Sequence, residues 1–369
     1  LKSLVRIAIS RARREWFLSI LLMLYVVLLL RDHSLLGRSP KLVDYGSLAA
    51  IVSLLAASRG FELSGIFNRI APAVIELSGG SELRLLTLVL LAVALSSAVI
   101  MNDTAMFIFI PLVVTLSKIS GVSEAKFVTL TVIAANVGSA LTPIGNPQNV
   151  IIWRYFDIPF HTFVLNMAPF VLGWTCLLLT FVFLTSGGKF AKSFAVPRIR
   201  VNGALVTASA VLLVADIIFI QSGLALVGLV VTLVTLTIVK RGAVLSLDVA
   251  LVLVFALIFV DFRELSSILP STDFALHQKS PLSIVLISSV LSQAISNVPT
   301  TVLFAPTVDK ARWLSLAAGV NLGGTGLVVG SLANFIAVRL AGTKLKDFHK
   351  YSLPYFVVAL GLTLLITWL

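Results

Sequence analysis

The chain has 369 residues, 58% of them hydrophobic and only 12% charged, with a formal net charge of +12. A soluble domain carries about 25% charged residues, so a mean hydropathy of +1.06 leaves this apolar surface no aqueous home. Lys and Arg gather in short links between apolar runs, the pattern that sets membrane orientation rather than a nucleic-acid stripe; one cysteine (Cys176) and four scattered histidines exclude a disulfide framework and a His/Cys metal site.

In chain order, five basic residues from Lys2 to Arg14 precede a first span over Trp16 to Leu30, placing the N-terminus inside. That basic start has no small-residue cleavage pattern, so the segment is expected to stay as a span rather than leave as a signal peptide. A second span over about Leu42 to Ala57 returns, and "FELSGIFNRIAPAVIEL" is expected as an amphipathic piece on the inner surface. Leu83 to Met101, the tip "NDT" and the apolar stretch to Lys118 must enter and leave from one side, because two full crossings would put the downstream basic links on the wrong face. Phe127 to Trp153 crosses outward with "NVGSALTPIGNPQN" at its middle, and Met167 to Leu184 returns to an inner link marked by Lys189, Lys192, Arg198 and Arg200.

The second half follows the same plan. Spans at Ala204 to Ile220 and Leu224 to Val239 reach an inner link at Lys240 and Arg241, and Leu247 to Val260 goes out, with "FRELSSIL" expected on the outer surface. Ser283 to Ser296 leads to the tip "NVPTT" and returns near Asp309; Trp313 to Arg339 crosses inward, and Tyr355 to Leu369 is the last span. Asp216 and Asp261, near span ends, read as solvated or capping residues, and Glu62 and Glu264 as surface-helix residues.

Two halves of one design emerge. Asn102 is followed nine positions later by Pro111, and Asn297 nine positions later by Pro306. Asn136, Gly138, Gly145 and Asn149 have the spacing N-x-G-x6-G-x3-N, which Asn321, Gly323, Gly330 and Asn334 repeat. "ELSGIF" at Glu62 answers "ELSSIL" at Glu264, each before its hairpin. By the charge pattern the first copy begins inside and the second outside, the inverted-repeat plan of secondary transporters. The fold class is therefore an all-α polytopic membrane protein of two inverted repeats, each with a re-entrant helical hairpin and a broken transmembrane helix. Residues 1–185 form the first repeat with its N-terminal span (hairpin tip 102–104, broken helix 136–149), 186–222 the basic link and inverting span, and 223–369 the second repeat (tip 297–301, broken helix 321–334).

Non-helical backbone at membrane depth is tolerated only where it is buried in protein or lines a wet cavity. Gly138, Gly145 and Pro143 are expected to unwind the first broken helix and Pro147 to start the next. The candidate ion and substrate site combines the tips, Asn102, Asp103, Thr104, Asn297, Thr300 and Thr301, with the breaks. The first break adds Asn136, Ser139, Thr142, Asn146 and Asn149, and the second adds Asn321, Gly324, Thr325, Ser331 and Asn334, with Gly138, Gly145, Gly323 and Gly330 shaping them. Asp103 is the one carboxylate among these motifs, and it reads as a binding site for H+ or Na+ or, failing that, as a hairpin cap; Val298 stands in its place in the second copy.

The stretches "MNDTAMFIFIPLV", "NVGSALTPIGNPQNVIIW", "SNVPTTVLFAPTV" and "NLGGTGLVVGSLAN" resemble the signature regions of the ion transporter superfamily, in the branch of arsenite-efflux and citrate–metal transporters. The resemblance covers about Arg59 to Trp153 and Leu265 to Arg339 and is specific for fold and transport rather than for substrate. It implies an elevator-like or rocking carrier that holds its substrate between two hairpin tips. Where relatives often carry Ser-Asn-Thr, Ser296 and Asn297 are followed by Val298 and Pro299, a departure that tells against dicarboxylate recognition. The expectation is a multi-pass secondary transporter of the cytoplasmic (inner) membrane for a small inorganic or organic anion, arsenite-like or citrate-like, with H+ or Na+ coupled through Asp103. Its partners are the bilayer and a small ion, with a homodimer compatible and nucleic acid not; no cofactor or catalytic residue is expected. A Na+/H+ antiporter on the same scaffold is the alternative, ahead of a channel.

Overall fold

The computed structural model describes residues 16–66, 76–189, 200–268 and 280–369. The basic stretch from Lys2 to Arg14, the middle of the first surface segment, Lys192 and Arg198 lie outside them. A chain in hydrocarbon must satisfy its backbone groups within each segment, and the described residues are helices joined by turns with one isolated bridge, Ser81 to Lys189. In order they are α1 (Trp16–Arg31), α2 (Leu35–Leu42), α3 (Tyr45–Ser64), α4 (Glu82–Ser97), α5 (Asn102–Ser120), α6 (Glu124–Ser139), α7 (Pro147–Phe156) and α8 (Phe160–Thr185). The second half holds α9 (Gly203–Gln221), α10 (Ala225–Leu245), α11 (Val249–Ile268), α12 (Pro281–Ile295), α13 (Asn297–Phe304), α14 (Trp313–Gly323), α15 (Leu332–Ala341) and α16 (Leu345–Trp368).

Local chemistry sets the ends. The side chains of Asp44, Ser81, Ser123, Asn202 and Ser280 accept the N–H three residues on, and left-handed Gly65, Gly121 and Gly342 stop α3, α5 and α15. Five helices (α3, α8, α9, α10 and α16) are long and apolar enough to cross a membrane. Their outward residues, such as Leu172, Phe183, Val214, Val234 and Ile238, are exposed, as lipid-facing positions require.

Each repeat contains a hairpin, α4–α5 or α12–α13, and a broken helix, α6/α7 or α14/α15. α4 packs on α6 and α12 on α14, while the repeats interlock through α5 on α15 and α13 on α7. α3, α9 and α10 form a three-helix group that meets α5, α7 and α11 through α3, and α11 lies against α1 and α13. At the base of the first hairpin, Lys126 Nζ donates to Glu82 (3.0 Å), the Thr185 carbonyl (2.6 Å) and Ser186 Oγ (2.8 Å), tying α4 and α6 to the end of α8.

The sequence expectations need three corrections. "FELS" is the last turn of α3, not a surface piece, and "FRELSSI" forms the last turns of α11, because both spans run longer than their charge-free cores. Glu264 is consequently buried, and Glu62 is half-buried and paired with Arg59. Asp216 and Asp261 are buried rather than solvated; Thr232 Oγ1 donates to both Asp216 oxygens (2.9 and 3.1 Å). Lys240 has non-helical backbone (φ −157°, ψ 81°), so α10 is two helical pieces that meet where the basic link at Lys240 and Arg241 is expected.

The motif glycines hold a surprise of mechanism. None of Gly138, Gly145, Gly323 and Gly330 has positive φ, so conformational freedom is not what selects them. A Cβ on Gly138 would strike the Ala94 backbone of α4, one on Gly145 the Ser139 backbone, one on Gly323 the Ser292 side chain, and one on Gly330 the Gly323 carbonyl. Close approach is the constraint. Gly138→Ala should therefore lower thermal stability by about 1–3 kcal/mol, the usual overpacking cost. Gly361→Ala in α16, where nothing lies within 4 Å, should stay within about 0.5 kcal/mol. Thermal unfolding of the detergent-solubilised protein measures both.

Candidate functional site

The breaks are organised by four asparagines, and the bonding is the same in both repeats. Asn149 Nδ2 donates back to the carbonyls of Ser139 (3.2 Å) and Thr142 (2.9 Å); Asn334 Nδ2 donates to those of Gly324 (2.8 Å) and Leu327 (2.9 Å). Both therefore satisfy the carbonyls ten and seven residues upstream that unwinding has freed. The first asparagine of each motif crosses to the last of the other. Asn136 Nδ2 donates to Asn334 Oδ1 (2.7 Å), and Asn321 Nδ2 to Asn149 Oδ1 (2.6 Å). The accepting sides are filled as well: Asn136 Oδ1 takes Asn102 Nδ2 (3.1 Å) and Ser331 Oγ (3.2 Å), and Asn321 Oδ1 takes Asn146 Nδ2 (2.9 Å) and Gln148 Nε2 (3.2 Å).

The hairpin tips press onto this brace. Asn102 N–H donates to the Gly145 carbonyl (2.9 Å), and Met101 N–H to Ser58 Oγ of α3 (3.3 Å). Thr142 Oγ1 donates to Ala98 O at 2.6 Å. At the second tip Asn297 lies against Gly324, and Ser296 adopts φ 76° and ψ 157°. That region is comfortable only for glycine, and such strain gathers at binding sites. Thr300 and Thr301 turn their hydroxyls onto the carbonyls of Ser296 and Asn297 (both 2.8 Å), Thr325 onto that of Leu322 (2.7 Å), and Ser139 Oγ donates to the Asn136 carbonyl (3.0 Å).

Both tips border one small cavity of about 10 Å³, room for about one water. Asn102 and Asp103 face it from the first tip and Ser296 to Pro299 from the second. The starts of α7 (Pro147, Gln148) and α15 (Ser331, Leu332) complete it, so the N-termini of four helices converge there. Phe17 of α1 and Val254, Phe255 and Ile258 of α11 close the remaining side. Of the residues expected at the site, Asn102, Asp103, Asn297 and Ser331 line the cavity itself, and Thr104 lies just outside. Sequence reasoning missed Gln148, Ser296 and the apolar wall, although "NPQN" was in view.

The chemistry of the lining is sparse. Asp103 is its one ionisable residue, buried, with no hydrogen bond or ion pair to its carboxylate among the described residues. Asn102 Oδ1 is likewise buried without a partner. Asp103 also borders a larger vestibule of about 340 Å³, with Arg59, Glu62, Ser246 and Asp248 at its polar end. Arg59 Nε donates to Ser246 Oγ (3.0 Å) across it. A neighbouring hollow of about 310 Å³ shares Phe107, Asp248 and Leu251 with that vestibule and Phe17, Val254 and Leu332 with the cavity.

A family described as "Citrate transporter" (CitMHS) matches residues 5–312. The chain belongs to that family. It is 34% identical to the inner membrane protein YbiR of Escherichia coli, over 87% of each chain. An uncharacterised transporter of Methanocaldococcus jannaschii is 30% identical over 69% of this chain and 70% of its own. A silicon efflux transporter of rice (Oryza sativa subsp. japonica) shares 28% identity over a shorter stretch, 35% of this chain and 27% of that one. Among solved structures, the YdaH transporter of Alcanivorax borkumensis superposes with a TM-score of 0.53 at 15% identity, covering 90% of this chain and 86% of that one, a likeness of fold alone. The family member described here is thus a helical membrane transporter, and its broken helices and paired hairpins are the parts that meet at the cavity.

Proposed function

We propose that this transporter is a secondary carrier for a small hydroxylated inorganic acid of the silicic or arsenous type, coupled to H+ or Na+ through Asp103. The observation that carries the reading is the lining of the inter-tip cavity: amides, helix N-termini and one carboxylate, with no arginine or lysine. A citrate trianion would meet no cation there and would be pushed away by Asp103, whereas a neutral hydroxy acid, admitted when the tips part to enlarge the one-water cavity, can donate its O–H groups to Asp103 and to the orphaned Asn102 Oδ1. Its oxygens would accept from the four converging helix starts. The likeness to the rice silicon efflux transporter supports the same substrate class.

Arg59 lines the vestibule, and Lys240 and Arg241, expected inside, lie in the last turns of α10 before vestibule-lining Ser246. With basic residues inside, the conformation described here opens toward the cytoplasm and is closed on the other face. The inner membrane is the proposed location, as the name of the Escherichia coli relative suggests.

The test is flux into proteoliposomes holding the purified chain. Saturable arsenous acid uptake, competed by silicic acid and accelerated by a pH or Na+ gradient, is the expected result. Flux of citrate in preference to both acids would overturn the substrate class. Na+/H+ exchange with no oxyacid flux would replace the proposal with an antiporter.

A further inference from the structure

Asp261 has no task in the site just described, yet it is 0% exposed and neither carboxylate oxygen has a partner among the described residues. It lies on α11, the helix that walls the cavity. Val254, Ile258 and Asp261 stand at i, i+4 and i+7, successive turns of one stripe. Glu264 follows one turn later. It too is buried; Oε2 has no partner among the described residues, and Oε1 is 3.4 Å from Arg38 Nη2. Arg38 in turn bonds Asp32, and both of those side chains are more than two-fifths exposed. The carboxylates thus form a line from the cavity to solvent.

That line ends on the face opposite the vestibule. Arg59 and Glu62, at the vestibule, sit in the last turns of α3, while its N-cap Asp44 pairs with Arg263 of α11 (3.7 Å). Fifteen residues of helix separate Asp44 from Arg59, about 22 Å. α11 spans the same distance in the opposite direction, with Leu251 and Val252 at the vestibule and Arg263 Nη1 donating to the Leu42 carbonyl (2.9 Å) at the far end. Asp261 therefore lies beyond the cavity, on the closed side.

We propose that Asp261, with Glu264 behind it, is a second proton-binding site that links the cavity to the face opposite the vestibule. The proposal rests on the transporter reading and deepens its coupling step. A carboxylate ion with neither a donor nor a cation costs several kcal/mol in such surroundings, and the neutral acid far less. Asp261 carries its proton while α13 and α1 cover it. It gives the proton up to water through Glu264 when the tip moves off α11 and the far face opens. The titratable and charged groups on the elements packed against α11 are Tyr25 and Arg31 (α1), Arg38 and Lys41 (α2), and Asp44, Tyr45, Arg59 and Glu62 (α3 and its cap), with none on α13. Of these, Arg38 meets Glu264 and Asp44 meets Arg263; none bonds Asp261.

The experiment has two arms on the full chain. In proteoliposomes with arsenous acid as probe, Asp261→Asn should cut pH-gradient-driven flux about tenfold or more while leaving counterflow nearly unchanged, and Asp261→Glu should keep both. In the second arm, which needs no substrate, pH-difference infrared spectra of the membrane-embedded protein should lose one carboxylic-acid carbonyl band in Asp261→Asn. Normal gradient-driven flux in that variant, or an unchanged set of acid bands, overturns the proposal. Should Asp261→Asn fail to insert, Glu264→Gln carries the test: slowed pH-driven flux with normal counterflow supports the relay, and unaltered pH-driven flux overturns it. If the wild-type chain moves no arsenous acid, the substrate reading fails by itself and the infrared arm still decides the proton site.

Discussion

Asp103→Asn should abolish accumulation driven by a pH or Na+ gradient, by about tenfold or more, while exchange of substrate across the membrane continues. The substitution keeps the shape of the side chain and removes both the titratable proton and the negative charge. Exchange continues because the asparagine amide oxygen still accepts a substrate O–H and the tips are held by other groups: Asn102 N–H on the Gly145 carbonyl and Asn102 Nδ2 on Asn136 are untouched. A capping role would give the opposite outcome, since asparagine caps as well as aspartate. The geometry offers no cap for it to replace: the residue preceding α5 is Met101, without a side-chain cap, and Asp103 is the second residue of the helix. Counterflow and gradient-driven flux on one preparation make the comparison. Equal accumulation by both proteins would remove Asp103 from the coupling step.

The two halves of the molecule were legible in the sequence because their defining contacts are local. An asparagine that satisfies carbonyls ten and seven residues upstream leaves a fixed spacing in the chain. Asn149 and Asn334 write that spacing twice. Pro147 at the first position of α7 is legible for the same reason. The wall of the cavity was not. Phe17, Val254 and Ile258 are apolar residues among many, and only the packing of α11 on α1 and α13 brings them to the tips. Asp261 was misread because the end of the charge-free run was taken for the end of the span; α11 continues to Ile268, which puts the residue two turns inside a helix. The motif glycines were placed correctly but for the wrong cause. A positive φ and a close neighbour both select glycine, and one sequence does not distinguish them.

The largest structural loss should follow from breaking the asparagine brace. Asn136→Ala removes both donors and the acceptor of Asn136, leaving Asn102 Nδ2, Ser331 Oγ and the Asn334 amide short of partners in a buried place. Each orphaned group costs about 1–3 kcal/mol, so a fall of several kcal/mol in stability and loss of flux are expected. Asn334→Ala should cost a similar amount, because it frees the Leu327 carbonyl, takes one of two donors from the Gly324 carbonyl and leaves Asn136 Nδ2 an acceptor short. The two residues share a bond, so the double variant should lose less than the sum of the single ones. The same holds for Asn149 with Asn321. Across the pairs, Asn136 with Asn149, no direct bond joins the side chains, and the losses should come closer to adding. This pattern separates two uses of the same residues. If the four asparagines serve chiefly as substrate ligands, their replacement should weaken binding while the melting temperature holds, and no within-pair coupling will be found. If they brace the broken helices, stability falls first, and it falls in pairs. The crossed bonds from each repeat to the other require the second pattern, because an amide that already spends both donors and its acceptor on protein has little left to offer a ligand.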